Sequence, residues 1–214
     1  MSEPLTTIAA VKGGRGLNTS SSDDDDALED WIKTVSSMLR SAIGRPLHRV
    51  DDHTEHVGSN GTPALWVETH LPVVSISEIT HDGDVVDTDD YELTDADLGR
   101  IGRTNDDLWR DTRYRGGIGH GRAHPRPPQR DYAVTYDGGW VTPYQVDQGD
   151  YPERTMPYDV EQAIIDYCVM QLRSQGRDPN LVSETIESTS YKYRGQPVPA
   201  SFREVVDTYS IPHV

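Results

Sequence analysis

Two stretches of the chain carry apolar residues at the spacing of an amphipathic α-helix. In the first, residues 23–45, the apolar positions recur every three or four residues and comprise Leu28, Trp31, Ile32, Val35, Met38, Leu39, Ala42 and Ile43. Asp26 and Glu29 have the spacing of a capping box, and Gly44 favours an end to the helix. The second stretch, residues 157–175, is apolar around most of its circumference, which predicts a helix in the centre of the core.

The chain between these two predicted helices alternates apolar and polar residues in the manner of β-strands. Residues 73–80 are rich in β-branched side chains, and the Asp-Gly pair at residues 82–83 is a hairpin turn signal that predicts a return strand toward Leu93. The alternation returns over residues 132–136. We therefore expect a β-region over residues 64–142.

The end of the chain combines a short amphipathic helix with a tail. Ser201 and Glu204 have capping-box spacing, and the apolar face of the predicted helix comprises Phe202, Val205, Val206 and Tyr209. Residues 190–193 have the composition of a short strand, and residues 143–157 are expected to form a linker. Residues 5–22, which contain glycines and a serine run, predict a flexible N-terminal segment.

Together these patterns predict an α+β fold in a single domain over residues 1–214. The expected architecture is a small helical bundle, made of two longer helices and a short C-terminal helix. An antiparallel β-sheet with hairpins and a long irregular loop are inserted into it.

Residues 100–130 differ in composition from the rest of the chain. The segment has no apolar period, is rich in glycine and proline, and holds Arg100, Arg103, Arg110, Arg113, Arg115, Arg122, Arg126 and Arg130. These eight arginines against three aspartates give a charge of +5, so the remainder of a chain with net charge −16 carries −21. We predict a long loop that contacts DNA phosphates, pairs with an acidic neighbouring subunit, or is simply solvated.

The chain of 214 residues is strongly acidic for its length. Its 36 acidic residues include 25 aspartates, whereas only three of its 20 basic residues are lysines. Hydrated surface carboxylates are typical of proteins adapted to high salt, and an acidic protein from a GC-rich mesophile is the alternative. The hydrophobic fraction of 34% predicts a small core, or one that neighbouring subunits complete.

The residues that commonly carry catalysis or bind metals form no recognisable arrangement in the sequence. His53 and His56 lie in what reads as a polar loop and lack a third ligand. The glycines of residues 116–121 lack the Gly-Lys-Ser/Thr ending of a phosphate-binding loop, and Cys168 lies in an apolar helix, where a thiol is usually a small buried hydrophobe. Because these residues form no such arrangement, we expect a protein that is not an enzyme and has no metal or cofactor. We also expect it to be soluble, since no apolar run has the length of a membrane span.

Four stretches of the sequence carry a family resemblance when they are taken in order. Residues 24–45 begin with Asp-Asp-Asp-Ala-Leu and end with Ile-Gly-Arg, and residues 71–76 read Leu-Pro-Val-Val-Ser-Ile. Residues 136–140 read Tyr-Asp-Gly-Gly-Trp and precede a Pro-led helix at residues 157–163, and residues 183–193 contain Ser-Glu-Thr-Ile and a later tyrosine. In this order they resemble the head–tail connector (adaptor) family of tailed viruses.

The sequence also departs from that family pattern. Glu187 stands where the family usually has glycine, and residues 100–130 and 143–157 are longer than the family's usual connections. The resemblance implies a subunit that forms a ring, usually a dodecamer, beneath the portal protein and receives the tail or a stopper protein on its other side. It further implies assembly in the host cytoplasm, a final place in the virion neck and transient contact with DNA in the channel. The acidic composition adds a virus of a halophilic archaeon as the expected source.

The resemblance assigns the C-terminal segment, residues 201–214, to docking on the portal. Its anchors would be Phe202, Val206, Tyr209 and Ile211, because buried aromatic and aliphatic anchors dominate interface energies. The alternative is that the apolar face of this helix covers the core of its own subunit. Candidate contacts with the channel or with a neighbouring subunit are Arg110, Arg113, Arg115, Arg122, Arg126 and Arg130.

Two further functions compete with the connector. Another neck component, such as a tail-completion or tail-terminator protein, would be mainly β and would lack the two long helices. A halophilic nucleic-acid-processing enzyme would use the arginines of residues 100–130 and would need catalytic acids or histidines facing them.

Overall fold

The computed structural model divides the chain into two compact units. The helical unit comprises Met1–Gly44 and Val141–Val214, and the strand unit, Arg45–Trp140, is inserted between these halves in sequence. The structure describes residues 3–13, 16–17, 20–59, 61–105, 107–110, 132–174, 183–186, 189–192 and 198–210. The α+β fold class predicted from the sequence is confirmed.

The described part of the helical unit contains five helices. They are α1 (Ile8–Lys12), α2 (Asp25–Ile43), α3 (Pro143–Gln148), α4 (Tyr158–Ser174) and α5 (Ala200–Tyr209), of which α2 and α4 form the centre of the core. A two-stranded antiparallel hairpin also belongs to this unit, and its strands are Ser183–Ile186 and Thr189–Lys192. None of the helices within the described ranges combines the length and apolar character that crossing a membrane requires.

The two long helices bury their apolar faces within the chain itself. The core positions of α2 are Leu28, Ile32, Val35, Leu39 and Ile43, spaced three or four residues apart. They face α4, in which Val160, Ala163, Ile164, Ile165 and Cys168 are fully buried, and α5 packs against both helices. Neighbouring subunits are therefore not needed to cover these faces.

A buried carboxylate ties the N-terminal residues to this core. Leu5 is fully buried and donates its N–H to Ser36 Oγ at 3.1 Å, while Thr6 Oγ1 donates to Glu161 Oε1 at 3.2 Å. Glu161 is 2% exposed, and Arg154 Nη1 donates to its Oε2 at 2.5 Å, which offsets the cost of burying the charge. Thus the stretch expected to begin a flexible segment over residues 5–22 instead supplies core contacts.

The strand unit contains two antiparallel sheets. Its strands are β1 (Val50–Val57), β2 (Ala64–Trp66), β3 (Val73–His81), β4 (Asp84–Val85), β5 (Tyr91–Asp95), β6 (Arg100–Arg103) and β7 (Tyr132–Gly138). The first sheet has the order β1-β7-β3-β4 and the second has the order β2-β6-β5. A short 3-10 helix, Thr88–Asp90, precedes β5.

The central strand β7 separates a buried face from a polar one. Tyr132, Val134 and Tyr136 alternate along β7 and are each at most 2% exposed. On the other face, the hydroxyls of Thr54 and Thr135 lie 3.0 Å apart across the β1–β7 pair. This is the one-sided burial expected of an antiparallel sheet, and it explains the alternation seen in the sequence.

The two ends of the strand unit are fastened to each other. Trp140 donates its N–H to the Leu47 carbonyl at 3.1 Å, and the Arg45 guanidinium lies over the Trp140 ring, 5.7 Å from its centroid. Gly139 has a φ of +87°, and a Cβ at this position would lie 2.2 Å from the His48 carbonyl oxygen. Glycine at 139 therefore allows the outgoing chain to contact the incoming chain.

Several element boundaries differ from the sequence predictions. The expected linker over residues 143–157 contains α3, which Thr142 caps through a reciprocal capping box. His53 and His56, expected to lie in a polar loop, instead belong to β1 (Val50–Val57), because this stretch pairs with β7. The hairpin turn at residues 82–83 is confirmed, but its return strand β4 has only two residues, and the strand through Leu93 belongs to the other sheet.

Two of the predicted helix caps are also wrong. The N-cap of α2 is Asp24, which makes no side-chain capping bond, so the Asp26 and Glu29 pair lies within the first turns. The N-cap of α5 is Pro199, and Ser201 Oγ instead donates to Asp166 Oδ2 at 2.8 Å. A contact between helices, which local spacing does not encode, replaces the local cap.

We predict that Gly139→Ala destabilises the protein far more than Gly83→Ala. Both glycines have positive φ (+87° and +92°), but a Cβ at Gly83 meets nothing within 4 Å. Gly83→Ala should cost about 1 kcal/mol from backbone strain alone, and Gly139→Ala about 3 kcal/mol because strain and the clash with His48 combine. Urea unfolding measures the difference, and equal losses for the two variants would contradict this account of the closure.

Candidate interaction surfaces

The C-terminal helix α5 buries its aromatic anchor in its own unit. Phe202 is 6% exposed, and its ring packs on the Tyr167 ring of α4 with 5.4 Å between centroids. Val205, one turn later, is 3% exposed. These two side chains therefore cover the core of their own subunit, as the alternative explanation of the apolar face expects.

Polar bonds add to the attachment of α5 to α4. Besides the Ser201 bond to Asp166, the Tyr209 hydroxyl donates to the Asp159 carboxylate at 3.0 and 3.2 Å. Burial, and then the bond to this carboxylate, raise the pKa of Tyr209 to about 12, so its hydroxyl remains a donor at neutral pH. Both ends of α5 are thus bonded to the second long helix.

The remaining anchor candidates are more accessible. Val206 and Tyr209 are half-buried, and Ile211 lies outside the described residues. Beside the start of α5, Phe202 lines a shallow groove with Ser37 and Met38 of α2, and Met38 is 40% exposed. The surface available at this end of the chain is therefore formed by side chains around Phe202 rather than by Phe202 itself.

The first part of the arginine-rich segment is ordered by aromatic side chains. Arg100 lies over the Trp66 ring at 5.9 Å, and Arg103 lies over the Trp109 ring at 4.6 Å while it pairs with Asp90 at 3.3 Å. Residues 100–103 form β6 and are not part of an irregular loop, because this strand is the centre of the second sheet.

Trp109 continues this ordered part of the segment. It is fully buried, its Nε1–H donates to the Ile101 carbonyl at 3.2 Å, and its ring meets the Tyr132 ring edge-on at 5.4 Å. The isolated tryptophan between charged residues gives no periodic signal, so sequence analysis missed this core residue. Trp66, whose ring lies under Arg100, is by contrast on the surface, where its exposed fraction is 45%.

One of the six candidate contact arginines lies in the described part of the chain. Arg110 is exposed, and its backbone N–H donates to the Tyr132 hydroxyl at 2.9 Å. Arg113, Arg115, Arg122, Arg126 and Arg130 lie outside the described residues. The structure thus brings the start of the segment to the strand unit with the Arg110 side chain on the surface.

Sequence analysis also missed a cluster of three histidine rings in the strand unit, which we call the histidine cluster (His48, His53 and His70). The His53 and His70 ring centroids are 4.6 Å apart, and those of His48 and His70 are 5.5 Å apart. His53 packs edge-on against the Tyr136 ring at 5.5 Å. His70 lies on a different segment from His48 and His53, and contacts at the end of β7 bring the rings together. His53 pairs with Tyr136, the backbone N–H of His70 donates to the Tyr136 hydroxyl, and His48 pairs with Trp140, so no local motif could have revealed the cluster.

The carboxylate of Glu55, both of whose oxygens accept hydrogen bonds, borders the histidine cluster. Glu55 Oε2 accepts the Tyr136 hydroxyl at 2.7 Å and the Thr69 N–H at 3.1 Å, and Oε1 accepts the Glu68 N–H at 3.1 Å. The Tyr136 hydroxyl in turn accepts a hydrogen bond from the backbone N–H of His70 at 3.1 Å. The tyrosine of the Tyr-Asp-Gly-Gly-Trp motif therefore positions residues 68–70 against β7.

The His53 and His56 pair does not form a shared site. The two residues are three apart on β1, so their side chains point to opposite faces of the strand: His53 joins the histidine cluster and His56 is exposed. Within the described ranges, no group of three or more His, Cys, Asp or Glu side chains is arranged to hold a metal ion.

No protein-family model matches the sequence, and no curated protein matches it significantly. Solved structures of gene transfer agent particles do match. A chain from the virion of the native particle is 11% identical and has a TM-score of 0.50, and the match covers 100% of this chain and 94% of that chain.

Two neck structures of such particles give lower similarity. The neck of the native particle, with C12 symmetry, has a TM-score of 0.48 at 11% identity, and the neck of the empty particle, with C6 symmetry, has 0.47 at 12%. Each match covers 100% of this chain and 97% of the other. The virion match, with its higher TM-score, shows a shared fold: an α+β protein whose helical unit carries an inserted antiparallel strand unit.

We predict that Phe202→Ala destabilises the helical unit by about 3–5 kcal/mol, because it opens a cavity beside Tyr167. Thr208→Ala, on the exposed side of the same helix, should change stability by about 0.5 kcal/mol or less. Urea unfolding followed by circular dichroism measures both free energies. A Phe202→Ala protein as stable as the Thr208→Ala protein would show that Phe202 is not a core residue.

Proposed function

We propose that the protein is a head–tail connector (adaptor), a structural and non-catalytic subunit of a virion neck. Identical copies would form a ring, expected to be a dodecamer, beneath the portal protein. The ring would join the capsid to the tail or a stopper protein and continue the DNA channel. It would assemble in the host cytoplasm and function in the virion.

The fold likeness to a virion chain is the observation that carries this proposal. The match spans 100% of this chain and 94% of the virion chain, so it includes both units and is not limited to one common motif. The sequence resemblance to the connector family supports it independently, because it rests on the order of four stretches in the chain. The acidic composition further leads us to propose a virus of a halophilic archaeon as the source.

The long helices distinguish this proposal from another neck role. A tail-completion or tail-terminator protein is expected to be mainly β, whereas α2 and α4 have 19 and 17 residues and form the core of the helical unit. The connector therefore accounts for the helical unit, and a mainly β neck protein does not.

We further propose that the C-terminal segment docks on the portal through a subset of the expected anchors. Phe202 and Val205 are occupied in the subunit's own core and would hold α5 in place. Val206, Tyr209 and Ile211 would then make the contact, with Phe202 acting indirectly. This division fits a short helix that is bonded to α4 at both ends and leaves Val206 and Tyr209 half-buried.

The six arginines from Arg110 onward are proposed to pair with the acidic surface of a neighbouring subunit. A segment of charge +5 in a chain whose remainder carries −21 has complementary surface on every other copy. Tight DNA binding is disfavoured because the net charge of −16 repels phosphates and high salt weakens phosphate contacts steeply. Contact with packaged DNA would then be transient.

The proposed function predicts rings that bind the portal. The purified protein should form rings in molar salt, visible by negative-stain electron microscopy, and should co-sediment with portal rings from the same virus. Val206→Asp should reduce co-sedimentation at least about tenfold, because a charge placed in an apolar contact is costly to desolvate.

Thr208→Asp is the matched control, since it adds the same charge on the exposed side of α5. It should bind the portal like the unaltered protein. A protein that stays monomeric with and without portal would contradict the connector role, whereas rings that bind equally in both variants would contradict only the docking surface.

The arginine proposal predicts an assembly defect. Replacing Arg110, Arg113, Arg115, Arg122, Arg126 and Arg130 by glutamine shifts the net charge from −16 to −22 and should reduce ring yield, measured by analytical ultracentrifugation. Replacing Arg173 and Arg203, which are exposed elsewhere, is the control for the general loss of positive charge. Unchanged ring yield together with slower DNA passage through assembled particles would favour the DNA contact instead.

A further inference from the structure

The histidine cluster contains a buried nitrogen without a partner. His70 is 6% exposed, and its Nδ1 makes no hydrogen bond among the described residues. The backbone of His48 interacts favourably with the charged form of the ring, but burial and the neighbouring His53 outweigh it and lower the pKa of His70. A proton on Nδ1 would therefore be buried without an acceptor among the described residues.

The backbone around His70 has little room to adjust. A Cβ at Gly138 would lie 2.1 Å from the His70 carbonyl oxygen, and one at Gly139 would lie 2.2 Å from the His48 carbonyl oxygen. The chain on both sides of the cluster is therefore in close contact with the end of β7. A charge placed on His70 therefore acts on a segment whose backbone is packed closely against the end of β7.

We propose that the histidine cluster is an acid-sensitive latch: protonation of His70, beside the His53 ring, releases residues 68–70 from β7 and loosens the closure of the strand unit. A proton added to the buried His70 ring lacks an acceptor at Nδ1, and the charge it brings lies beside the His53 ring, with 4.6 Å between the centroids. The latch belongs to the strand unit alone and does not depend on ring formation or on the virion role.

The charged and titratable groups around His70 do not offset the free-energy cost of placing a positive charge on its buried ring. Glu55 is the carboxylate that acts on it, but its oxygens already accept bonds from Glu68, Thr69 and Tyr136. Burial raises the pKa of Tyr136 well above its ordinary value, so its hydroxyl stays neutral and cannot act as a counterion. His48 contributes its carbonyl and a ring edge at 5.5 Å.

The direction of the pH effect follows from these contacts. Burial, and then the neighbouring His53, lower the pKa of His70 below its ordinary value, against opposing effects of the His48 carbonyl and Glu55. The unfolded chain therefore binds the proton first as the pH falls below about 6.5, the ordinary value for histidine. Stability is complete above that pH and decreases as the pH falls through the range in which only the unfolded state is protonated.

Thermal unfolding at about pH 7.5 and about pH 5, at one fixed salt concentration, tests the latch. His70→Gln retains a donor in the position of Nε2 and cannot be protonated. Its loss of melting temperature on acidification should be smaller than that of the unaltered protein by about 4 °C or more. His56→Gln, which removes an exposed histidine from β1, should lose as much melting temperature as the unaltered protein.

A second measurement covers the case in which His70→Gln fails to fold. In His53→Gln, NMR titration of the His70 ring should give a higher midpoint than in the unaltered protein, because the neighbouring ring is gone. In His56→Gln the midpoint should not move. A His70 midpoint equal to that of an exposed histidine, or an acid-induced loss that is the same in all variants, would overturn the proposal.

Discussion

The close approach of the chain to itself at Gly138 and Gly139 is the constraint on which the strand unit depends. The carbonyl oxygens of His70 and His48 lie where any larger residue would place its Cβ. This contact lets Trp140 bond to Leu47, and so the two ends of a 96-residue insertion, Arg45–Trp140, are held together. An insertion closed at its base in this way can fold as a compact unit, because the loop-closure cost is met by local contacts.

The same stretch links the structure to both functional proposals. The Tyr-Asp-Gly-Gly-Trp motif was singled out by its resemblance to the connector family, and each described contact of the motif is structural. The Tyr136 hydroxyl donates to Glu55 and accepts a hydrogen bond from the backbone N–H of His70. The Asp137 carboxylate accepts a hydrogen bond from the Ser75 hydroxyl at 2.6 Å and from the backbone N–H of Asp52 at 2.9 Å. Fold-specific motifs of this kind report how a unit is closed and carry no chemistry of their own.

Sequence patterns located the elements whose burial is periodic. The α2 face and the β7 alternation were predicted because one face of each is apolar and the other polar. The sequence does not predict β1, since Asp51, Asp52, Glu55 and their neighbours give no apolar pattern. Among the described strands it pairs with β7, which lies far along the chain. The helix α3 differs from β1, since its Thr142 capping box is a local signal present in the sequence.

The candidate surfaces were harder to predict than the fold. The sequence predicts an apolar face around Phe202 that either docks on the portal or covers the core of its own subunit. Tyr167, on which the Phe202 ring packs, is on another helix, so only the structure shows that Phe202 lies in the core of its own unit. The sequence leaves open whether neighbouring subunits cover the apolar faces of α2, α4 and α5. In the structure these three helices pack against one another and bury those faces within the same chain. What remains for partners is a set of half-buried and charged side chains, which carry no periodic signal.

The central claim is that this chain forms a ring in the neck of a virion. Cryo-electron microscopy of the neck of the particle whose genome encodes it tests the claim most directly. We expect a ring of identical subunits directly beneath the portal, into whose density the helical and strand units both fit. A neck without density for this chain, or density for it elsewhere in the particle, would contradict the account.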